Sequence, residues 1–138
     1  MTANNNADVD ITWTAPSGNG GESIDSYAVY IKNNLGSFVA LSSCSAQATT
    51  SCTVTLDVLK SATFNLALAD VVKATVTATN DVGTTAQSTE GGLATIQLVP
   101  STPSALTTTN SGPDVTFTWT EAANNGNDVN SFEVFIKP

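Results

Sequence analysis

The same pattern is written twice in this chain, as DVDITWTAPSGNGGESIDSYAVYIK near the start and DVTFTWTEAANNGNDVNSFEVFIKP at the end. Asp8 aligns with Asp114, Trp13 with Trp119 and Gly20 with Gly126. After a one-residue gap, Ser26–Lys32 aligns with Ser131–Lys137, which places Tyr27 on Phe132. Self-similarity at a fixed period of about 105 residues marks tandem structural units. A chain of 138 residues then holds one unit and roughly a third of the next. Whatever the first copy folds into, the second copy repeats its opening elements and lacks the rest.

The period of the apolar residues says which elements these are. Val9, Ile11 and Trp13 alternate with Asp10, Thr12 and Thr14, and Tyr27, Val29 and Ile31 alternate with Ala28 and Tyr30. A period of two over short β-branched runs bounded by Gly and Asn turns predicts half-buried strands. GNGG at 18–21, NNLG at 33–36 and NDVG at 80–83 supply the turns. SFVALSS, TVTL and VVKATVTATN are further strands, the last with Val72, Ala74, Val76 and Ala78 inward. Thr84–Ser88 and Ala94–Val99 form the final strand around the Gly91-Gly92 break. LKSATFNLALAD has irregular spacing and is expected to cross from one sheet to the other. PSTPS at 100–104 is a stiff junction, because Pro fixes its own φ and extends its neighbour. Beyond it SALTTTN, DVTFTWT and SFEVFIK restart the series. MTANNNA is too short and too Asn-rich to serve as a first strand, so the first copy is expected to lack one.

Charged residues make up only 12% of the chain, against about 25% in a typical soluble protein. The net charge is −8, with four basic residues and no histidine. Nucleic acid and anionic membrane are therefore unsuited as partners, since both are bound by clustered Lys and Arg. No run approaches the roughly 18 apolar residues of a membrane helix, and MTANNNADVD has neither the basic start nor the apolar core of a signal peptide. Either export is specified by residues outside this sequence or the protein is not exported. Cys44 and Cys52 flank SAQATTS, a small hairpin-like loop, and this spacing favours a local disulfide. Free thiols are the alternative, and a metal site lacks a His or third Cys. A disulfide places the protein in an oxidising compartment. A loop this small would contribute on the order of 2.5 kcal/mol, enough to pin a hairpin.

VDITWTAPSGNGGESIDSYAVYI, followed by VKATVTATNDVGTTAQS, resembles the fibronectin type III domain. The shared features are a Trp in its second strand, an NGG turn, a Tyr in its third, and an A-x-N-x-x-G signature that carries Asn80 and Gly83. The resemblance covers residues 8–99 as one nearly complete domain and 100–138 as the opening of another, so that 1–99 is expected to be a domain without its first strand and 100–138 the first three strands of the next. The CSAQATTSC insertion and SATFNLALAD resemble a cysteine-paired subgroup, found in tandem arrays of secreted or surface proteins of single-celled eukaryotes. What this implies is an all-β, immunoglobulin-like antiparallel sandwich whose core holds Trp13, Tyr27, Val29, Leu56, Val72 and Val76, with Trp119 and Phe132 as second-copy counterparts. One departure stands out. Val72 occupies the place where most such domains have a Tyr that tethers a strand corner, so the disulfide and residues 61–70 are expected to hold that corner.

A fold of this kind does not determine function, so chemistry must be sought separately. Without His, Arg or an unpaired-looking Cys, the usual general bases and thiol nucleophiles are missing, and no enzyme activity is expected. GNGG lies between antiparallel strands and opens no helix, which removes phosphate-loop chemistry. Carboxylates in the Asp8/Asp10, Glu22/Asp25, Asp81 and Asp114 loops leave a weakly held calcium open, although none has EF-hand spacing. No cofactor is expected beyond that. No N-x-S/T sequon occurs, while Thr107, Thr108 and Thr109 are possible O-glycan sites. A sandwich cut after its third strand exposes edges and half a core. It must be completed by further repeats of a longer array or by other copies joined head to tail. The expected role is thus a structural repeat unit of an extracellular or cell-surface filament. An adhesion or ligand-binding module is the alternative, disfavoured by small polar loops without aromatic or Arg anchors.

Overall fold

The computed structural model describes residues 8–137 in full and the backbone alone of Thr2–Asn5. Two antiparallel sheets form an all-β sandwich. In chain order the strands are β1 (Thr2–Asn5), β2 (Asp8–Thr12), β3 (Ser26–Lys32), β4 (Phe38–Ala40), β5 (Ser51–Thr55), β6 (Ala74–Asn80) and β7 (Gly83–Thr84), with a helical turn α1 (Leu56–Lys60) after β5. One sheet runs β1-β2-β5 and the other β4-β3-β6-β7. Val9, Ile11 and Val54 from the first meet Val29, Ile31 and Ala74 from the second in one core. On β3 the alternation read from the sequence is realised along its length, with Tyr27, Val29 and Ile31 buried between half-buried neighbours. On β6 it is blurred: Thr75 and Thr77 are also buried, because β6 lies between β3 and the edge segment. Thr75 sits opposite Tyr30 and bonds Gln87 at 3.0 Å.

Residues 56–70 cross between the sheets as expected, and they also roof the core. Thr55 caps α1 by accepting from Val58 N, and Leu59, Phe64 and Leu66 turn inward. Near Val72, where no Tyr is available, the carboxylate of Asp70 accepts from Ala67 N at 2.8 Å. Backbone bonds join Val72 to Ala94 and Asp70 to Ile96. The final strand is less regular than the sequence suggests. Only Gly83–Thr84 forms a ladder with β6, and the remainder follows it through isolated contacts: Ser88 N donates to Val76 O, and Ala74 and Gly91 exchange a pair of backbone bonds.

Four expectations are corrected. MTANNNA does supply a strand: Thr2–Asn5 pairs with Asp8–Ile11, because pairing needs only backbone groups, and the low β propensity of Asn is a weak bias beside an open strand edge. Cys44 and Cys52 are bonded but pin no hairpin. Cys44 ends a 3-10 turn after β4 in one sheet, and Cys52 lies on β5 in the other, so the bond fastens sheet to sheet. Trp13 and Val76, assigned to the core, are only half-buried, since the sandwich is open between the end of β2 and residues 85–91. SFEVFIK forms no strand. Its counterpart β3 is held on both flanks by β4 and β6, and residues 100–138 contain no counterpart of either.

Among the described residues the second copy consists of one hairpin, β8 (Thr107–Ser111) and β9 (Asp114–Thr118), followed by a turn at 125–127 and no further strand. Its register repeats that of the first: Thr108 faces Phe117 as Thr2 faces Ile11. The backbone also relocates the gap between the copies. Asn19 accepts from Gly21 N as Asn124 accepts from Gly126 N. Gly20 and Gly21, at φ +73° and +94°, match Asn125 and Gly126 at +51° and +97°. The missing residue therefore precedes this turn, and Gly126 corresponds to Gly21 and not to Gly20.

Candidate functional site

Comparison of the two copies locates the surface with unsatisfied chemistry. Val9, Val29 and Ile31 are 2%, 1% and 0% exposed, whereas their counterparts Val115, Val134 and Ile136 are 53%, 41% and 74% exposed. The residues are of core type in both copies; the difference lies in what covers them. Trp13 packs edge-on against Tyr27 with ring centroids 5.5 Å apart, and Trp119 packs on Phe132 at 5.6 Å. The aromatic pair thus forms without the sheet. Leu106 and Val134 line one cleft with Trp119 and Phe132, and Val115 also stands exposed.

Asn80 and Gly83, singled out by the signature, form a clamp. Asn80 Oδ1 accepts from Val82 N and Gly83 N, both at 3.1 Å, and Nδ2 donates to Asn19 O at 2.8 Å, tying the β6–β7 turn to the GNGG loop. Val72 is wholly buried. Thr107, Thr108 and Thr109 lie on exposed β8, with the Thr107 hydroxyl bonded to that of Thr118 at 2.6 Å.

Two further contacts have no signature in the sequence. Glu90 bridges Lys32 at 2.7 Å and Lys73 at 2.6 Å, and these two lysines hold its carboxyl below the ordinary glutamate range. At the junction Asn125 Nδ2 donates to Val99 O at 2.8 Å, Leu98 N to Asn125 O at 3.0 Å, and Ser101 N to Ala123 O at 3.0 Å. The turn of the second copy is thereby laid against the tail of the first. The legible signal was the left-handed Asn-Gly turn; its docking partner was not encoded nearby.

Among the described residues no group of three or more Asp, Glu, Cys or His is placed to hold a metal, and no helix is long and apolar enough to cross a membrane. Asp10, one of the loop carboxylates, accepts from the Thr53 hydroxyl at 2.6 Å. No family model matches the chain, and no match is found among curated proteins.

Proposed function

We propose that this chain is a non-enzymatic structural repeat of an extracellular or cell-surface filament, built from fibronectin type III-like sandwiches joined end to end. The observation that carries the reading is the exposed half-core of the second copy. Its apolar residues stand at positions buried in the first copy, and each such side chain gains about 1.5–3 kcal/mol when covered. Strands from the next repeat or from another copy would cover them. An arrangement of three strands facing four supports the domain type, and a disulfide between the sheets supports an oxidising compartment. The junction offers a way to stack units, since the turn of one repeat bonds the tail of the one before. A head-to-tail contact that does not close on itself propagates as a fibre.

Electron microscopy and sedimentation of the oxidised chain test this reading. Strings that lengthen with concentration are expected, and Ile136→Asp shortens them without moving the melting of the first copy. A monomer at all concentrations, with Phe132–Ile136 protected from exchange by its own chain, would overturn it.

A further inference from the structure

Two Asn-Gly pairs occur in the chain, Asn19-Gly20 and Asn125-Gly126. Glycine has no Cβ to hinder its nitrogen, so in this dipeptide the main-chain nitrogen that follows Asn most readily attacks the Asn side-chain amide. The fold treats the two pairs differently. Asn125 Nδ2 donates to Val99 O at 2.8 Å and to Ser101 Oγ at 3.3 Å, its carbonyl accepts from Leu98 N at 3.0 Å, and Gly126 N donates to Asn124 Oδ1 at 3.4 Å. Both residues are half-buried at the junction, whereas Asn19 and Gly20 are exposed. Asn19 Oδ1 accepts from Gly21 N at 3.1 Å, while Asn19 Nδ2 and Gly20 N have no partner among the described residues. Asn19 thus combines a polarised carbonyl, an untethered amine and a free nucleophile beside it. Two other turn asparagines lack part of that set: Asn34 N, which follows Asn33, donates to Phe64 O at 3.0 Å, and Asn80 Nδ2 is held by Asn19 O at 2.8 Å.

We propose that Asn19 is a site of spontaneous deamidation, and that docking at the junction withholds the same chemistry from Asn125. Solvent hydroxide takes the Gly20 N–H proton, the nitrogen attacks Asn19 Cγ, and Gly21 N–H donates to Oδ1 as that oxygen gains charge. The Cγ–Nδ2 bond breaks and the nitrogen leaves as ammonia, closing a succinimide ring that water then opens. Opening at the side-chain carbonyl leaves an aspartate whose carboxylate still accepts from Gly21 N. Opening at the main-chain carbonyl leaves isoaspartate. The chain then runs through the former side chain, one methylene longer, and the oxygen that accepted from Asn80 Nδ2 becomes part of a free carboxylate. The clamp between the GNGG loop and the β6–β7 turn is displaced, with no enzyme and no partner required. Each event also adds a negative charge to a chain that already carries −8. The site stands whether or not copies assemble.

The test incubates the oxidised full chain at mildly alkaline pH and maps its peptides by mass spectrometry, with fragmentation that separates isoaspartate from aspartate. Asn19 is expected to lose ammonia first, with Asn125 slower by roughly tenfold or more, as for a step that waits on local opening. In urea the two rates converge, because each pair is then only an Asn followed by Gly. Fresh Asn19→Asp protein, which keeps the acceptor for Gly21 N, melts with the parent chain, whereas chain converted to isoaspartate at position 19 melts lower. Loss at Asn125 as early as at Asn19 in the folded chain overturns the proposal, and so does an Asn19 amide that survives folding while both are lost in urea. Isoaspartate-bearing chain that melts like fresh protein overturns the displaced clamp.

Discussion

Asn80 and Glu90 show how differently two polar side chains can be read from a sequence. Asn80 precedes Asp-Val-Gly and folds back on amides two and three residues ahead, a local Asx turn that Asn favours for its short acceptor. Glu90 bonds lysines 58 and 17 residues away, and nothing near it in the sequence announces them. The pair of cations has a consequence for acid stability. Because the folded state lowers the carboxyl pKa, the bridge stabilises above the unfolded glutamate value of about 4.3 and is lost as pH falls through the folded one. Glu90→Gln is therefore expected to lower the thermal midpoint slightly at pH 7 and to leave it unchanged near pH 3. Thermal denaturation at the two pH values checks this, and an equal shift at both would show that the bridge is not the cause.

Identical alternation does not guarantee an identical element. SYAVYIK and SFEVFIK share their period, yet only the first is a strand, because a ladder needs partners on its flanks. β1 shows the opposite case, in which a run with poor propensity pairs since β2 offers an edge. The disulfide also acts between elements. Its cysteines are 8 residues apart with Cα atoms separated by 6.1 Å; Cys44 ends the 3-10 turn that follows β4 of one sheet, and Cys52 lies on β5 of the other. Loop-closure entropy puts its contribution at about 2.5 kcal/mol. Reduction is expected to lower the stability of the whole sandwich by about that amount, with a single cooperative transition in urea. If only residues 42–52 loosened, as read by hydrogen exchange, the inter-sheet role would be wrong.

In the whole molecule the junction determines how one unit follows the next. A Cβ on Gly126 would stand 2.7 Å from Ile96 O and 3.2 Å from Ala69 N, both main-chain atoms, at a φ of +97° that disfavours any side chain. Gly126→Val is expected to undock the turn. Exchange protection at the amides of Leu98 and Ser101 falls roughly tenfold or more, as for local opening, while β3 keeps its protection. Unchanged protection at Leu98 would mean that the turn is not held by this contact. Such a hinge between repeats would govern the straightness of the filament proposed above.

Local pattern was enough for the β class, the turns, the repeat and most of the inward positions on β2, β3 and β6, since alternation and turn chemistry act within a few residues. It could not reveal that the disulfide joins sheets, that Trp13 and Val76 border an open cleft, or that SFEVFIK stays unpaired. These depend on which distant segments come to lie alongside. A side chain's period gives the face it prefers, and its burial waits on the neighbour that covers that face.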